Sequence, residues 1–365
     1  RDDAFFIINK FPAVGTYSTT KLIFLRGRKI MFEKMLRERY GVKGGYELEI
    51  ENYRAYKQET SLFLIMNVNG RKEQELSELK RISEQLRTFG DKEVPVLLAT
   101  NDGKTISEWQ GNNYCLLQYE NIKPLHARKM GKKLARFHFR GRHMPFPVES
   151  IKRIGQWKEL WEKRLDQMEG FWNGKLNQGP ENEFEKMFFD SFPYYMGLTE
   201  NAVQYLIDTE LDIKPEAVDT GTVCHERCNR QIWGREQLIK NPYDWVFDHA
   251  SRDLAEYIRE RYFYNSQTYQ PEIRKFMAEY QQVNRLSPFS WRLLFARLMF
   301  PLHYFECIEA YYISTSETEK RELEEKLYKY LKQSSEQEQF LGRFYQLVEA
   351  PVRTYKLPTV KWLIK

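Results

Sequence analysis

Two short segments of the chain contain residue types that could carry out phosphoryl transfer. The first is an apolar lead into His225, followed by Glu226 and Arg227, and the second is an apolar segment that ends at Asp248. This order is typical of a phosphotransferase site, where a loop carboxylate orients the acceptor hydroxyl and a later carboxylate binds Mg²⁺. The position of the loop carboxylate is occupied by Arg227, which stays protonated and cannot accept a proton.

The same loop lacks a second metal ligand. The Asn expected five residues after Arg227 is replaced by Ile232, an apolar residue that cannot ligate Mg²⁺. Glu226 could be a displaced base, although a shift of one residue changes the direction of its side chain. For His225 we expect a structural hydrogen bond to the backbone near Asp248 rather than acid–base catalysis. We therefore expect no catalytic residue and treat His225, Glu226 and Arg227 as vestigial candidates.

Asp248 is the candidate metal ligand, because three apolar residues precede it. Asp244 is the alternative alignment. A lone carboxylate holds Mg²⁺ poorly, since this ion is usually bound through carboxylates together with substrate phosphates. Asp253 is expected to be structural, as a cap or an ion-pair partner near the start of a helix.

The elements that should position these residues follow from periodicity. The predicted strands are Tyr46–Ile50, Tyr53–Gln58, Leu62–Val68, Val94–Ala99 and Tyr114–Tyr119. An amphipathic helix, Arg71–Phe89, separates the third strand from the fourth, with leucine and isoleucine on one face. From residue 124 the pattern is helical, and Glu183–Glu210 is predicted as two pieces around Pro193.

The strands lack the groups that bind a nucleotide. The turn between the first two strands has no glycine and contains Glu49 and Glu51, which would repel a triphosphate. The third strand has no lysine, and Lys57 lies one strand earlier. Lys57, with Glu75 or Glu78 as its helix partner, is therefore the candidate cofactor-binding set. The alternatives are a surface lysine and helix-surface charge pairs.

Composition limits the remaining possibilities. The chain has 365 residues, and a net charge of +6 without a dense basic tract argues against nucleic acid. No apolar stretch reaches about 18 residues, so no membrane span is expected. Cys224 and Cys228 flank His225, but without a second ligand pair we expect small buried side chains rather than a metal–thiolate site. Residues 1–30 are expected to be an extension that need not be native, since Met31 resembles a natural start.

Several motifs together resemble those of the aminoglycoside-phosphotransferase-like kinases. They are Tyr56–Thr60, Gly131–His138, His225, Phe247-Asp248, Asp253–Ala255 and Trp291–Pro301. Within that superfamily the chain looks most similar to spore coat proteins of the CotS and YutH type. The resemblance implies an α+β, bilobal, protein-kinase-like fold with a small mixed β-sheet N-lobe, residues 31–120, and a large helical C-lobe, residues 121–365.

The resemblance also implies a function. We expect a catalytically inactive kinase-fold protein of the bacterial endospore coat, made in the mother-cell cytoplasm, that binds or assembles with other spore coat proteins and needs no cofactor. One alternative is a small-molecule phosphotransferase that uses ATP and Mg²⁺ at a rearranged site with Glu226 or Asp248 and Lys57. The other is a pseudokinase that binds a nucleotide or another ligand without transfer.

Overall fold

The fold is described from a computed structural model, which describes residues 32–50, 53–59, 61–120, 129–228 and 240–363. The predicted extension, residues 1–30, lies outside these ranges, as do Glu51 and Ile232. Tertiary contacts divide the chain into two compact units. We call Ser18–Arg153 with Gly221–Glu260 the sheet unit, and Ile154–Thr220 with Arg261–Lys365 the helical unit. The lobe boundaries expected from the sequence stay a prediction.

The sheet unit is built around one antiparallel sheet. Its strands are β1 (Tyr46–Ile50), β2 (Tyr53–Gln58), β3 (Ser61–Asn67), β4 (Val96–Leu98), β5 (Ser107–Trp109) and β6 (Asn112–Glu120). Their order is β1-β2-β3-β6-β4, and β5 also pairs with β6. All of these pairings are antiparallel, where the sequence predicted a mixed sheet. The first three strands follow one another through very short connections, which allow only antiparallel neighbours.

Two helices pack against this sheet. α1 (Glu33–Tyr40) buries Met35 and Leu36 in a cluster with Tyr56 and Phe63. In α2 (Glu73–Thr88) the predicted apolar face is buried, and it consists of Leu76, Leu79, Ile82 and Leu86. Burial of each such side chain contributes about 1.5–3 kcal/mol, so α2 is held in place by packing rather than by its exposed charges.

The remainder of the sheet unit forms the support for the candidate site. α3 (Met130–Arg142), β7 (Thr222–His225), β8 (Trp245–Asp248) and the first part of α6 (Ser251–Tyr264) make up this support. β7 and β8 form an antiparallel ribbon. α3 lies so close to β7 that a Cβ added at Gly141 would stand 2.7 Å from the backbone nitrogen of Val223. Only glycine therefore fits at this contact.

The helical unit consists of helices and short 3₁₀ turns in its described residues. Its first helices are α4 (Trp157–Leu176) and α5 (Glu183–Asp212). After the end of α6 follow α7 (Tyr269–Gln281), α8 (Pro288–Met299), α9 (Leu302–Ile313), α10 (Glu317–Lys332), α11 (Ser334–Leu347) and α12 (Val352–Tyr355). α5 is one helix through Pro193, so the prediction of two pieces was wrong. Phe192 and Tyr195 are buried beside the proline, and this packing offsets the cost of its missing N–H.

Among the helices that the structure describes, none is both long enough and apolar enough to cross a lipid bilayer.

Candidate functional site

The site begins at the end of β7, where a buried carboxylate joins two histidines. Oδ1 of Asp253, in the first turn of α6, accepts a hydrogen bond from the backbone N–H of His225 at 2.9 Å. Oδ2 of Asp253 lies 2.7 Å from Nδ1 of the His225 ring. The same carboxylate lies 3.1 Å from Nε2 of His138 on α3. All three side chains are almost fully buried, and the ring of His225 stacks on Phe137 at 5.1 Å. Asp253 thereby ties α3, β7 and α6 together.

The electrostatics of this cluster favour an ionised carboxylate. Burial raises the pKa of Asp253, but the two neighbouring histidines outweigh burial and hold that pKa well below its usual range. Burial lowers the pKa of His138, and Asp253 offsets only part of this effect. The partner of His225 Nδ1 is thus a carboxylate, where the sequence predicted a backbone group near Asp248. The difference arises because the turn after β8 brings the first turn of α6 against β7, a contact that local patterns do not encode.

Asp248, the candidate metal ligand, is paired with a cation of the protein itself. Its Oδ2 accepts a hydrogen bond from Nη1 of Arg252 at 2.9 Å, and its Oδ1 accepts one from the backbone N–H of His249 at 2.7 Å. Arg252 also donates to the carbonyl oxygens of His225 and Glu226, both at 3.1 Å. Asp248 is 1% exposed and Arg252 is 6% exposed. The guanidinium therefore bridges the end of the loop and the carboxylate at the end of β8.

Asp244, the alternative metal ligand, sits in a less favourable environment for a charge. It accepts hydrogen bonds from the Tyr53 hydroxyl at 2.7 Å and from the Asn241 side-chain amide at 2.9 Å. Burial raises the pKa of Asp244 in spite of these bonds. Burial thus disfavours the charged form of Asp244, which is the form that would bind Mg²⁺.

The loop residues that follow His225 are held by contacts with α6 and with the residues before β8. Nη1 of Arg227 lies 3.6 Å from the carboxylate of Glu256 on α6. Glu256 also accepts a hydrogen bond from the backbone N–H of Cys228 at 3.2 Å. The backbone N–H of Glu226 donates to the carbonyl of Asp244 at 2.6 Å. Arg227, at the position of the expected carboxylate, and the backbone of Glu226 thus both take part in local contacts that hold the loop.

The candidate cofactor-binding residues lie on separate elements. Lys57 is on β2, where it pairs with Leu62 of β3. Glu75 on α2 binds Arg71 at 2.6 Å as an i,i+4 pair. Glu78 accepts hydrogen bonds from the backbone N–H groups of Glu149 and Ser150, each at 2.8 Å.

These contacts give both acids a structural partner. Arg71, the partner of Glu75, also donates to the carbonyl of Tyr243 at 2.7 Å. The role of Lys57 in nucleotide binding stays a prediction.

A second buried ion pair lies beside Phe137 of α3. Nζ of Lys240 is 2.8 Å from both carboxylate oxygens of Asp91 and 5.1 Å from the centre of the Phe137 ring. Arg140 adds a contact to Asp91 at 3.0 Å. Burial raises the pKa of Asp91, but Lys240 and Arg140 outweigh it and lower that pKa below its usual value.

Within the described part of the chain, two groups of side chains could hold a metal ion. One is His138, Cys224 and Asp253, and the other is His225, Cys228 and Asp253, with their ligand atoms within 4.8 Å of one another. Both groups use Asp253, whose two oxygens already accept hydrogen bonds from the histidines. In the observed geometry Asp253 is therefore held by hydrogen bonds to both histidines. Both cysteines are buried, which agrees with the role as small buried side chains expected from the sequence.

The sequence of the chain decides its family. The family described as "Spore coat putative kinase YutH" matches residues 33–344. The chain belongs to this YutH family. One relative, the endospore coat-associated protein YutH of Bacillus subtilis (strain 168), is 44% identical over 336 residues, which cover 92% of this chain and 99% of the relative. The resemblance to YutH-type proteins is therefore confirmed.

Solved structures similar to this YutH-family chain define its fold. An aminoglycoside phosphotransferase from Alicyclobacillus acidocaldarius is 12% identical, has a TM-score of 0.58 and covers 92% of this chain and 99% of its own. The spectinomycin phosphotransferase APH(9)-Ia, in complex with ADP and spectinomycin, is 14% identical, has a TM-score of 0.51 and covers 83% of this chain and 93% of its own. At these identities the likeness shows the fold alone, and it confirms the protein-kinase-like, aminoglycoside-phosphotransferase-like class.

Sequence reasoning missed the partners that complete the site. Arg252 follows Asp248 by four positions, but Asp248 ends β8 and Arg252 lies in α6, so the helical i,i+4 rule could not have predicted the pair. Lys240 and Asp91 are separated by 149 positions. No local pattern in this YutH-family chain could have predicted that contact.

Proposed function

We propose that this protein is a catalytically inactive kinase-fold protein that acts by binding or assembly with other proteins of the endospore coat. Its location is the endospore coat, in agreement with the family description and with the Bacillus subtilis relative, which is named as endospore coat-associated. No cofactor is needed for this function. The binding role and the lack of catalysis are the proposal.

The pair of Arg252 with Asp248 is the observation that carries the proposal. The carboxylate at the position of the expected metal ligand receives positive charge from a guanidinium 2.9 Å away. Both side chains are buried. A metal ion at Asp248 would compete with the buried Arg252 for the same carboxylate, and disturbing a buried ion pair costs stability.

The loop supports the same interpretation. Arg227 stands where a proton acceptor is required and lies 3.6 Å from the carboxylate of Glu256. An arginine cannot act as a base. Ion pairs within the chain would hold such an inactive site together and stabilise the fold. The surface of the protein would then serve for recognition of partners.

A thermal-shift experiment with ATP, with and without Mg²⁺, tests the proposal. A ligand at about 100 times its dissociation constant stabilises a protein by about 2.7 kcal/mol. We expect no Mg²⁺-dependent shift and no ATP turnover. A shift that requires Mg²⁺ and disappears in Asp248→Ala, but persists in the loop variant Glu226→Gln, would overturn the proposal.

The description of the family as a putative kinase keeps one alternative open. In that case Glu226 or Asp248 would act with Lys57, and the cofactors would be ATP and Mg²⁺. Transfer of labelled phosphate from ATP to a small-molecule acceptor would favour this alternative. An ATP shift without Mg²⁺ dependence and without turnover would instead favour a nucleotide-binding pseudokinase.

A further inference from the structure

The surface of α3 contains a hollow with aromatic and basic walls. It is lined by Phe89, Arg136, Phe139, Arg140 and His143 and has a volume of about 490 Å³. We call these five residues the basic-aromatic groove. All of them belong to the sheet unit, and one of them, Arg140, also contacts a residue of the site described above, Asp91.

The aromatic residues of the groove are unusually accessible. Phe139 is 52% exposed and Phe89, at the end of α2, is 37% exposed. The ring of His143 lies 4.6 Å from that of Phe139, and its Nδ1 is 2.7 Å from the Phe139 carbonyl oxygen. Large apolar side chains grouped around a hollow mark an interaction site rather than isolated surface residues.

The charge of the groove is positive. From Met130 to Arg142, α3 contains lysines and arginines but no acidic residue. The face that bears Arg136, Phe139 and Arg140 follows from helical spacing, since residues three and four apart are neighbours. Arg140 is held by Asp91 at 3.0 Å and by the carbonyl of Gly90 at 3.3 Å.

Arg136 is the cation that remains available. It is exposed, and it makes no hydrogen bond or ion pair with the residues that the structure describes. The nearby acids are engaged elsewhere, since Asp91 binds Lys240 and Arg140, and Glu93 binds Lys133 at 2.9 Å. A ligand that neutralises Arg136 must therefore bring its own negative charge.

We propose that the basic-aromatic groove binds an acidic segment of another protein, which inserts an apolar side chain between Phe89 and Phe139 and places carboxylates beside Arg136 and Arg140. Arginine and aromatic residues are the types enriched where binding energy concentrates. A nucleic acid is disfavoured, because its phosphates need an extended row of cations rather than one hollow with two phenylalanines. The inference rests on the proposed function in taking the ligand to be a protein.

Fluorescence anisotropy with the full chain tests this inference. The probe is a labelled synthetic peptide with a central Phe-Phe pair flanked by glutamates, compared with peptides in which lysines replace the glutamates or alanines replace the phenylalanines. We expect binding of the first peptide alone. Arg136→Glu and Phe139→Ala should each weaken that binding about tenfold or more.

Arg37→Glu is the matched control, because Arg37 is an exposed arginine of α1 in the same unit. It should bind the peptide like the unmodified chain, and thermal melts of all variants establish that they are folded. Equal binding by Arg136→Glu, Phe139→Ala and the unmodified chain would overturn the inference, as would equal binding of the lysine peptide. So would an absence of peptide binding.

Two further measurements separate the remaining outcomes. Sedimentation without peptide identifies a second copy as the occupant if the chain dimerises and Arg136→Glu abolishes the dimer, which would overturn the inference. ATP turnover measured on the same samples addresses the proposed function separately. ATP turnover together with specific peptide binding would refute the proposed lack of catalysis and support the binding role of the groove. No peptide binding and no turnover would refute the binding role of the groove and support the proposed lack of catalysis.

Discussion

The ion pair of Asp248 with Arg252 yields a quantitative prediction about stability. The two groups are 2.9 Å apart, and both are buried. Removal of one partner from such a pair leaves an uncompensated charge and costs about 3–5 kcal/mol. We expect Asp248→Asn and Arg252→Met each to lower the free energy of unfolding of the sheet unit by about this amount.

The double variant isolates the interaction between the two groups. Because neither charge is then left alone, its loss of stability should be smaller than the sum of the two single losses, with a coupling energy of about 2–3 kcal/mol. The hydrogen bonds from Arg252 to the carbonyls of His225 and Glu226 stay lost, so recovery should be incomplete.

Urea unfolding followed by circular dichroism measures these energies, and hydrogen exchange of the β7 amides reports on the sheet unit separately. A control is available in the helical unit, where Lys158 lies 4.0 Å from Glu162 with both side chains about half exposed. Lys158→Met should cost about 1 kcal/mol or less from the ion pair. A neutral or stabilising Asp248→Asn would refute the prediction of a stabilising ion pair, since that result is expected for a carboxylate kept for metal binding at the expense of stability. Additive effects of the two single variants on the free energy of unfolding would refute it as well.

Three further predictions concern glycine packing, pH dependence and the second buried ion pair. Gly141→Ala should destabilise by about 1–3 kcal/mol through overpacking against β7, whereas Gly170→Ala in α4, where a Cβ meets open space, should stabilise by about 0.5–1 kcal/mol in the same denaturation assay. The pKa values of His138 and Asp253 are both lowered in the fold, so the stability they contribute is present above their ordinary pKa values and is lost as the pH falls. Melting temperatures should therefore drop below about pH 6.5 and more steeply below about pH 4. A melting temperature that does not change with pH would contradict this prediction. Lys240→Met leaves a buried carboxylate without its main partner and should cost about 3–5 kcal/mol in urea unfolding, an expectation that a loss below about 1 kcal/mol would refute.

Local patterns in the sequence were sufficient for much of the architecture. The strand β1 begins and ends as predicted, β2 does so too, and the apolar face of α2 is the one that is buried. The replacement of a base by Arg227 and the absence of lysine in β3 were visible directly. These features depend on residue type and on short-range periodicity, which a sequence displays openly.

Family membership is likewise a property of the sequence, and the same sequence places Asp248 after its apolar strand. The tertiary structure decided how each candidate is used. It set Arg252 between Asp248 and the loop, joined His138 to His225 through Asp253, and left Phe139 at the surface. Such contacts depend on which elements pack together and at what distance, and in a buried site the gain or loss of one charged partner decides whether a carboxylate stabilises the fold or remains available to a ligand.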